Sequence, residues 1–332
     1  LYGPAYSDSR MQLKCAAMKQ RKPAVIALGT SRVMQFRGPC FRRESRFYNA
    51  GGAVNRPADL KVFLDDIPPG AEPSVILLGV DPWFFNARWL DNTETPALAT
   101  EINRRMDRLQ VFQSSWRTVY RDHRQGKIPL GRVLRMHWNR MGLNTIVNGN
   151  GFRNDGSYYH GEVVEDPGNP AYEDYEFKDT YDRIRKGRRR FEHGRNLRQE
   201  SLRELDEFLS ECVRRKIHVV GFLPPFAHAI HQKLVSMGDA YAYMWQVAPA
   251  AGRVFGRHGF SMYDFQDLAA LGAGDEETVD GFHGSEKAYV RLLLVLLERE
   301  PALAEVAVDA AQLQARLQAA PDPYTVFGYD EY

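Results

Sequence analysis

Three side chains far apart in the chain have the types that acyl transfer needs: Ser31, Asp280 and His283. A serine hydroxyl is a weak nucleophile until a base within hydrogen-bond reach takes its proton, and that base needs an orienting acceptor. The Asp280-x-x-His283 spacing lets one loop project both side chains. Asp280 would accept from the imidazole Nδ1–H and leave Nε2 facing Ser31. The oxyanion formed on attack needs its own donors. The Ser31 N–H is one, and Gly51 or Gly52 is the other, since glycine allows close backbone approach. Plainer readings exist: Ser31 as a helix N-cap, Asp280 as a turn former, His283 as a surface residue. The pair and the glycines together favour the nucleophile.

These residues need a scaffold that brings them to one edge. Ala24-Val25-Ile26-Ala27-Leu28 is a continuous apolar run, as expected of a buried parallel strand, and it ends at Gly29-Thr30-Ser31. A short second strand ends at Gly51-Gly52, a helix follows from Arg56 to Ile67, and Ser74 to Val80 is a third apolar strand. After Asp81 this rhythm breaks. It resumes at Asn196 with a charged helix to Arg215, a strand Ile217–Leu223 ending in Pro224-Pro225, a helix Asp239–His258 and a short strand Phe260–Phe265. Helices are expected over Ser285–Glu298 and about Pro301–Leu317, with a short helix from Ser9 to Lys19 and an amphipathic helical stretch from Pro96 to Arg124. The expectation is a three-layer α/β fold with a mostly parallel five-stranded sheet. Residues 1–80 and 196–332 form it, and 81–195 are an insertion or cap after the third strand. In open α/β sheets ligands gather at the carboxyl ends of the strands, where Ser31 and the Asp280–His283 loop both fall.

The chain has 332 residues and 44% apolar content, enough for a large core. Lys+Arg 44 against Asp+Glu 42 is nearly balanced, so nothing global points to nucleic acid. Cys15, Cys40 and Cys212 show neither a C-x-x-C nor a metal-like spacing, and any pairing among them is left open. No apolar run is long enough to span a bilayer. The first residue is Leu1, not Met, and the expectation is a trimmed chain that leaves room for a signal or anchor upstream.

Several residues could contact a substrate. Arg32 follows the nucleophile and is either a solvated side chain or an anchor for an acidic sugar or acyl donor. Trp83, at the end of the third strand, is either core or a sugar-stacking wall. Asn150, Arg153 and Asp155 lie in a turn-rich stretch, 148–159, and either reach the cleft or shape their own turns. His228 lines the cleft after the Pro-Pro turn, whereas His228 and His231 lack the further ligands of a metal site. The basic run from Arg183 to Arg195 reads as a solvated face, with anionic polysaccharide or lipid headgroups as the alternative.

Gly29-Thr30-Ser31, Gly51/Gly52, Gly79-Val80-Asp81 and Asp280-Gly281-Phe282-His283, in that order at matching strand ends, resemble the four sequence blocks of the SGNH (GDSL-like) hydrolase family. The resemblance covers about residues 22–80 and 215–298. Gly151-Phe152-Arg153-Asn154-Asp155-Gly156-Ser157 and the large insertion resemble the branch similar to alginate-type polysaccharide O-acetyltransferases. The resemblance implies a serine-dependent O-acyl, notably acetyl, esterase or transferase without a cofactor. Ser31 would be the nucleophile, His283 the base and Asp280 its orienter. It implies a polysaccharide or acylated sugar as substrate, a membrane acyl-donor protein as a further partner, and an extracytoplasmic location. The alternative is a non-catalytic carbohydrate-binding or assembly protein on the same fold. Asp81 departs from the family, which usually places an oxyanion-hole Asn there. A carboxylate would repel the oxyanion unless it is protonated or turned away; otherwise Asn86 or another group substitutes, or activity is reduced. The expected substrate contacts are thus Arg32, Asp81, Trp83, Asn86, Arg153 and His228.

Overall fold

The computed structural model describes residues 10–103, 113, 116–117, 120–121, 123–126, 150–328 and 331. Five strands form one sheet: β1 Val25–Gly29, β2 Tyr48–Gly51, β3 Val75–Gly79, β6 His218–Leu223 and β7 Ser261–Asp264. Their order is β2-β1-β3-β6-β7, and every neighbouring pair is parallel. The expected mostly parallel sheet is therefore wholly parallel, with the flavodoxin-like order. A separate antiparallel hairpin pairs β4 Asn150–Phe152 with β5 Tyr158–His160.

Eight helices of nine residues or more occur among the described residues. They are α1 Arg10–Arg21, α2 Pro57–Asp65, α3 Lys178–Lys186, α4 Gln199–Arg214, α5 His228–Ser236, α6 Ala242–Arg257, α7 Glu286–Arg299 and α8 Ala310–Ala319. The strands alternate their side chains between two cores, as the period of two requires. Ile26, Leu28, Ile76, Leu78 and Val219 pack with Phe63 of α2, Phe208 of α4 and Phe255 of α6. Val25, Ala27, Leu77, Val220 and Phe222 pack with Leu292 and Leu296 of α7 and Leu313 of α8. Helices thus cover both faces, giving three layers. In α4 the buried residues Leu205, Phe208, Leu209 and Cys212 recur at helical spacing, which places one stripe on the sheet. Cys15, Cys40 and Cys212 are all buried free thiols.

Three departures from the sequence expectation have local causes. The turn-rich stretch after residue 148 is the β4–β5 hairpin; Asn148 and Gly149 lie outside the described residues, as does Ser9. Of the helix expected over Pro96 to Arg124, Leu98–Asn103 is helical and most of the remainder lies outside the described residues. The helix expected from Pro301 to Leu317 is split into Pro301–Ala304 and α8. Between them the backbone is drawn into strand-like pairing with residues 40–42: Arg42 N–H donates to Val306 O at 2.8 Å and Val308 N–H to Cys40 O at 3.1 Å. No helix among the described residues is long and apolar enough to cross a membrane.

Candidate active site

The turn that presents Ser31 begins with a glycine that nothing else could replace cheaply. Gly29 has φ +155°, and a Cβ there would meet Gly79 O at 2.9 Å and Val33 Cγ1 at 3.0 Å. Thr30 then performs the capping expected of a serine. Its Oγ1 accepts from Arg32 N–H at 3.3 Å and donates to Asp81 Oδ2 at 2.6 Å. Ser31 is the first residue of a single 3₁₀ turn, Ser31–Val33, so its hydroxyl has no capping duty. Ser31 Oγ lies 2.8 Å from His283 Nε2.

His283 Nδ1 lies 2.7 Å from Asp280 Oδ2, and Asp280 Oδ1 accepts from the N–H groups of Phe282 and His283 at 2.9 and 2.7 Å. Burial raises the Asp280 pKa, but the adjacent His283 charge and these hydrogen bonds outweigh it and hold the carboxyl down at about 2. An ionised carboxylate only accepts, so Nδ1 carries the proton and Nε2 faces Ser31 as the acceptor. The loop has its own support. Gly281 N–H donates to Asp174 Oδ2 at 2.9 Å, and that oxygen also accepts from Thr180 Oγ1 at 2.7 Å. Val279 N–H donates to His283 O at 2.9 Å, and Ser285 caps α7 immediately after.

The glycine amides expected in the oxyanion hole are engaged elsewhere. Gly51 N–H donates to Asn49 Oδ1, and Gly52 N–H donates to Gly29 O, both at 2.8 Å. Asn49 is itself fully used, since Nδ2 bonds Val33 O at 2.8 Å and Phe36 O at 2.9 Å. The Ser31 N–H has no partner among the described residues.

The expected substrate contacts fall mostly inside the protein. Arg32 is neither solvated nor an anchor: its guanidinium is buried and pairs with Asp81 Oδ1 at 3.0 Å. It also donates to Phe282 O at 2.8 Å and Pro224 O at 2.7 Å, and stacks 4.0 Å over the Phe226 ring. Asp81 is consequently turned away from the cleft. Burial raises its pKa, while Arg32 and Thr30 oppose that shift. Trp83 is 1% exposed beneath the Arg32 and Arg190 guanidiniums, so it is core and not a sugar wall. Asn86 is a helix cap: Oδ1 accepts from Arg88 N–H at 2.9 Å and Nδ2 donates to Glu192 O at 2.6 Å. Arg153 is buried, 3.6 Å from Glu286 Oε2 and stacked on the Tyr159 ring. Asp155 likewise shapes its own turn, accepting from Ser157 Oγ at 2.6 Å, and also from Gly38 N–H at 2.8 Å. His228 is paired 2.9 Å from Asp267 Oδ1, which raises its pKa. Among the described residues no group of three or more His, Cys, Asp or Glu is placed to hold a metal ion.

The basic run is partly neutralised within its own segment. Asp182 pairs with Arg185, Lys186 and Arg188, and Arg183 pairs with Asp179. Arg183, Arg188, Arg189 and Arg190 also line a cavity of about 610 Å³ with Trp89 and Glu192.

Two residues beside the Asp280–His283 loop were not singled out in the sequence. Asp174 holds the Gly281 amide, and only its place in a polar loop hinted at it. His160 ends β5, with its ring centroid 6.0 Å from that of His283. Burial and the neighbouring His283 push its pKa down to about 3. A histidine two residues past Tyr158 in an alternating strand was the available signal.

Fold and geometry together define an all-parallel α/β sheet protein with a Ser-His-Asp constellation at the carboxyl edge. Compared with family models, with curated proteins and with solved structures, the chain matches none.

Proposed function

We propose that this protein is a serine-dependent O-acyl, specifically acetyl, esterase or transferase acting on a cell-surface polysaccharide outside the cytoplasm. The observation that carries the reading is the continuous chain from Ser31 Oγ through His283 to Asp280, with steps of 2.8 and 2.7 Å. Ser31 Oγ attacks the acyl carbonyl as His283 Nε2 takes its proton. The tetrahedral intermediate collapses, the ester C–O bond breaks, and His283 returns the proton to the leaving oxygen. A sugar hydroxyl or water, deprotonated by His283, then takes the acyl group from Ser31. The choice of polysaccharide, membrane acyl donor and extracytoplasmic site rests on the resemblance to SGNH proteins of the alginate-acetylating type. The nearly balanced charge argues against nucleic acid as a partner.

A second reading, a non-catalytic carbohydrate-binding or assembly protein, draws support from the engaged Gly51 and Gly52 amides. One experiment separates the two. A fluorophosphonate should label the protein covalently, and labelling should disappear in Ser31→Ala and fall sharply in His283→Ala. Turnover of p-nitrophenyl acetate should follow the same pattern. Absence of Ser31-dependent labelling and turnover in the wild type would overturn the enzyme reading in favour of binding.

A further inference from the structure

We propose that His160 is the side-chain donor to the reacting acyl oxygen, its imidazole N–H meeting the oxyanion beside the Ser31 N–H. The proposal rests on the serine-acyl reading above and supplies the part that reading lacks.

The first argument is elimination. A tetrahedral oxyanion is stabilised by two or more preorganised donors. The groups nearest the nucleophile in sequence and sheet register are almost all engaged. Gly51 and Gly52 donate to Asn49 and Gly29, and Asn49 donates to Val33 and Phe36. The Thr30 hydroxyl and the Arg32 guanidinium are bound to Asp81. The amides of Gly281, Phe282 and His283 serve Asp174 and Asp280. Of these groups the Ser31 N–H remains. Asn55 Nδ2 and Trp83 Nε1 also lack hydrogen-bond partners among the described residues but are buried away from the surface. One donor is too few.

The second argument is placement. The hairpin that carries His160 is fastened to the loop following the nucleophile. Tyr158 N–H donates to Met34 O at 3.0 Å, and Gln35 Nε2 donates to Tyr158 O at 2.9 Å. Two aromatic rings lie against His283: Phe282, apolar, at 4.2 Å, and His160 at 6.0 Å. Neither His160 ring nitrogen has a hydrogen-bond partner among the described residues, and the residue as a whole is half-buried. A polar ring beside the base, anchored by its backbone and left without a partner, is placed to receive a substrate atom.

Its protonation state suits the role. Burial, then the facing His283 and Arg153, keep His160 neutral at ordinary pH, with Asp280 opposing them. A neutral imidazole can donate one N–H without surrendering it, as a neutral histidine does toward a substrate carbonyl in triosephosphate isomerase. During attack the Ser31 proton passes to His283 Nε2, the Oγ–C bond forms, and the carbonyl π pair becomes the oxyanion. His160 keeps its proton and shares it as a hydrogen bond. On collapse the pair re-forms the carbonyl as the leaving oxygen departs with the proton from His283.

The test compares p-nitrophenyl acetate with its thionoacetate analogue. Sulfur is the poorer hydrogen-bond acceptor, so losing a donor to the acyl position costs the oxygen ester more. His160→Ala should lower kcat/KM on the oxygen ester by about 10²- to 10³-fold, mainly through kcat, and reduce the oxygen-to-sulfur rate ratio. His160→Gln, which retains a donor, should recover part of both, whereas His160→Phe, which fills the site without a donor, should not and replaces the alanine variant if that one folds poorly. An unchanged ratio in His160→Ala or His160→Phe overturns the proposal. Wild-type protein that shows no Ser31-dependent labelling or turnover sinks the serine-acyl reading and this proposal together. Ser31-dependent turnover that is indifferent to His160 sinks this one alone.

Discussion

At the scale of single residues, the site separates two jobs that serine often combines. Thr30 caps and holds Asp81, which leaves the Ser31 hydroxyl to His283. Asp280 likewise does more than orient a ring, because its second oxygen closes the loop on the Phe282 and His283 amides. Its pKa, held at about 2, has a consequence for stability. A depressed carboxyl stabilises the fold above the unfolded-state value of roughly 3.9, and that contribution is lost as pH falls toward 2. Asp280→Asn should therefore lower urea-unfolding stability by roughly 2 kcal/mol at pH 7, and the deficit should shrink as pH drops below 4. A deficit constant from pH 7 to 2.5 would contradict the ionised pair. The same variant should lose about 10⁴-fold in kcat on an acetyl ester, since an amide side chain favours the wrong imidazole tautomer.

At the scale of elements, the strand ends are bound together by one buried cation. Arg32 reaches Asp81 after β3, Pro224 after β6 and the Phe282 carbonyl beside His283. Its own carbonyl accepts from the Tyr289 hydroxyl of α7. Removing one member of such a pair leaves an uncompensated charge and costs about 3–5 kcal/mol, whereas removing both often costs far less. Arg32→Met should show the full loss in denaturant unfolding, and Arg32→Met with Asp81→Leu should recover most of it. A double variant as unstable as the two single losses added would mean that Arg32 acts through its backbone acceptors and not through Asp81. Sequence showed the strands because five-residue apolar runs buried on both faces have few alternatives. It showed the triad because Ser, Asp and His sit at strand ends with a spacing that suits one loop. It did not show Arg32–Asp81, since an arginine after a strand looks the same whether it meets water or a carboxylate 49 positions away. Trp83 was equally ambiguous until the two guanidiniums above it made it core. The hairpin was hidden for another reason. Its strands have three residues each and its turn is polar, too short for a periodic signal.

At the scale of the whole molecule, the first helix and the C-terminal segment around Phe327 both brace the hairpin that carries His160. Lys14 of α1 donates to Asn49 O at 2.6 Å and to Gly156 O. On the C-terminal side, Glu286 Oε1 accepts from Val326 and Phe327 N–H at 2.8 and 2.7 Å. Its Oε2 pairs with Arg37 at 2.6 Å and lies 3.6 Å from Arg153. Arg37 also bonds Asp155 Oδ2 at 3.2 Å in the hairpin turn. The tail is therefore a brace for the hairpin at second hand. Deleting residues 321–332 removes two amide donors from a buried carboxylate and uncovers Val326 and Phe327's sites in the core. The expected loss is roughly 3–6 kcal/mol from those two causes, read by urea unfolding. Ester turnover should fall as well, because the loosened Arg153 and Asp155 hold the β4–β5 turn. Asp309→Ala is the matching control. It removes an exposed cap on α8, where Asp309 Oδ1 accepts from Ala311 N–H at 2.8 Å, and should cost only about 1 kcal/mol with turnover intact. If the deletion destabilised the protein yet left turnover per folded molecule unchanged, the brace would reach the core and stop short of the site.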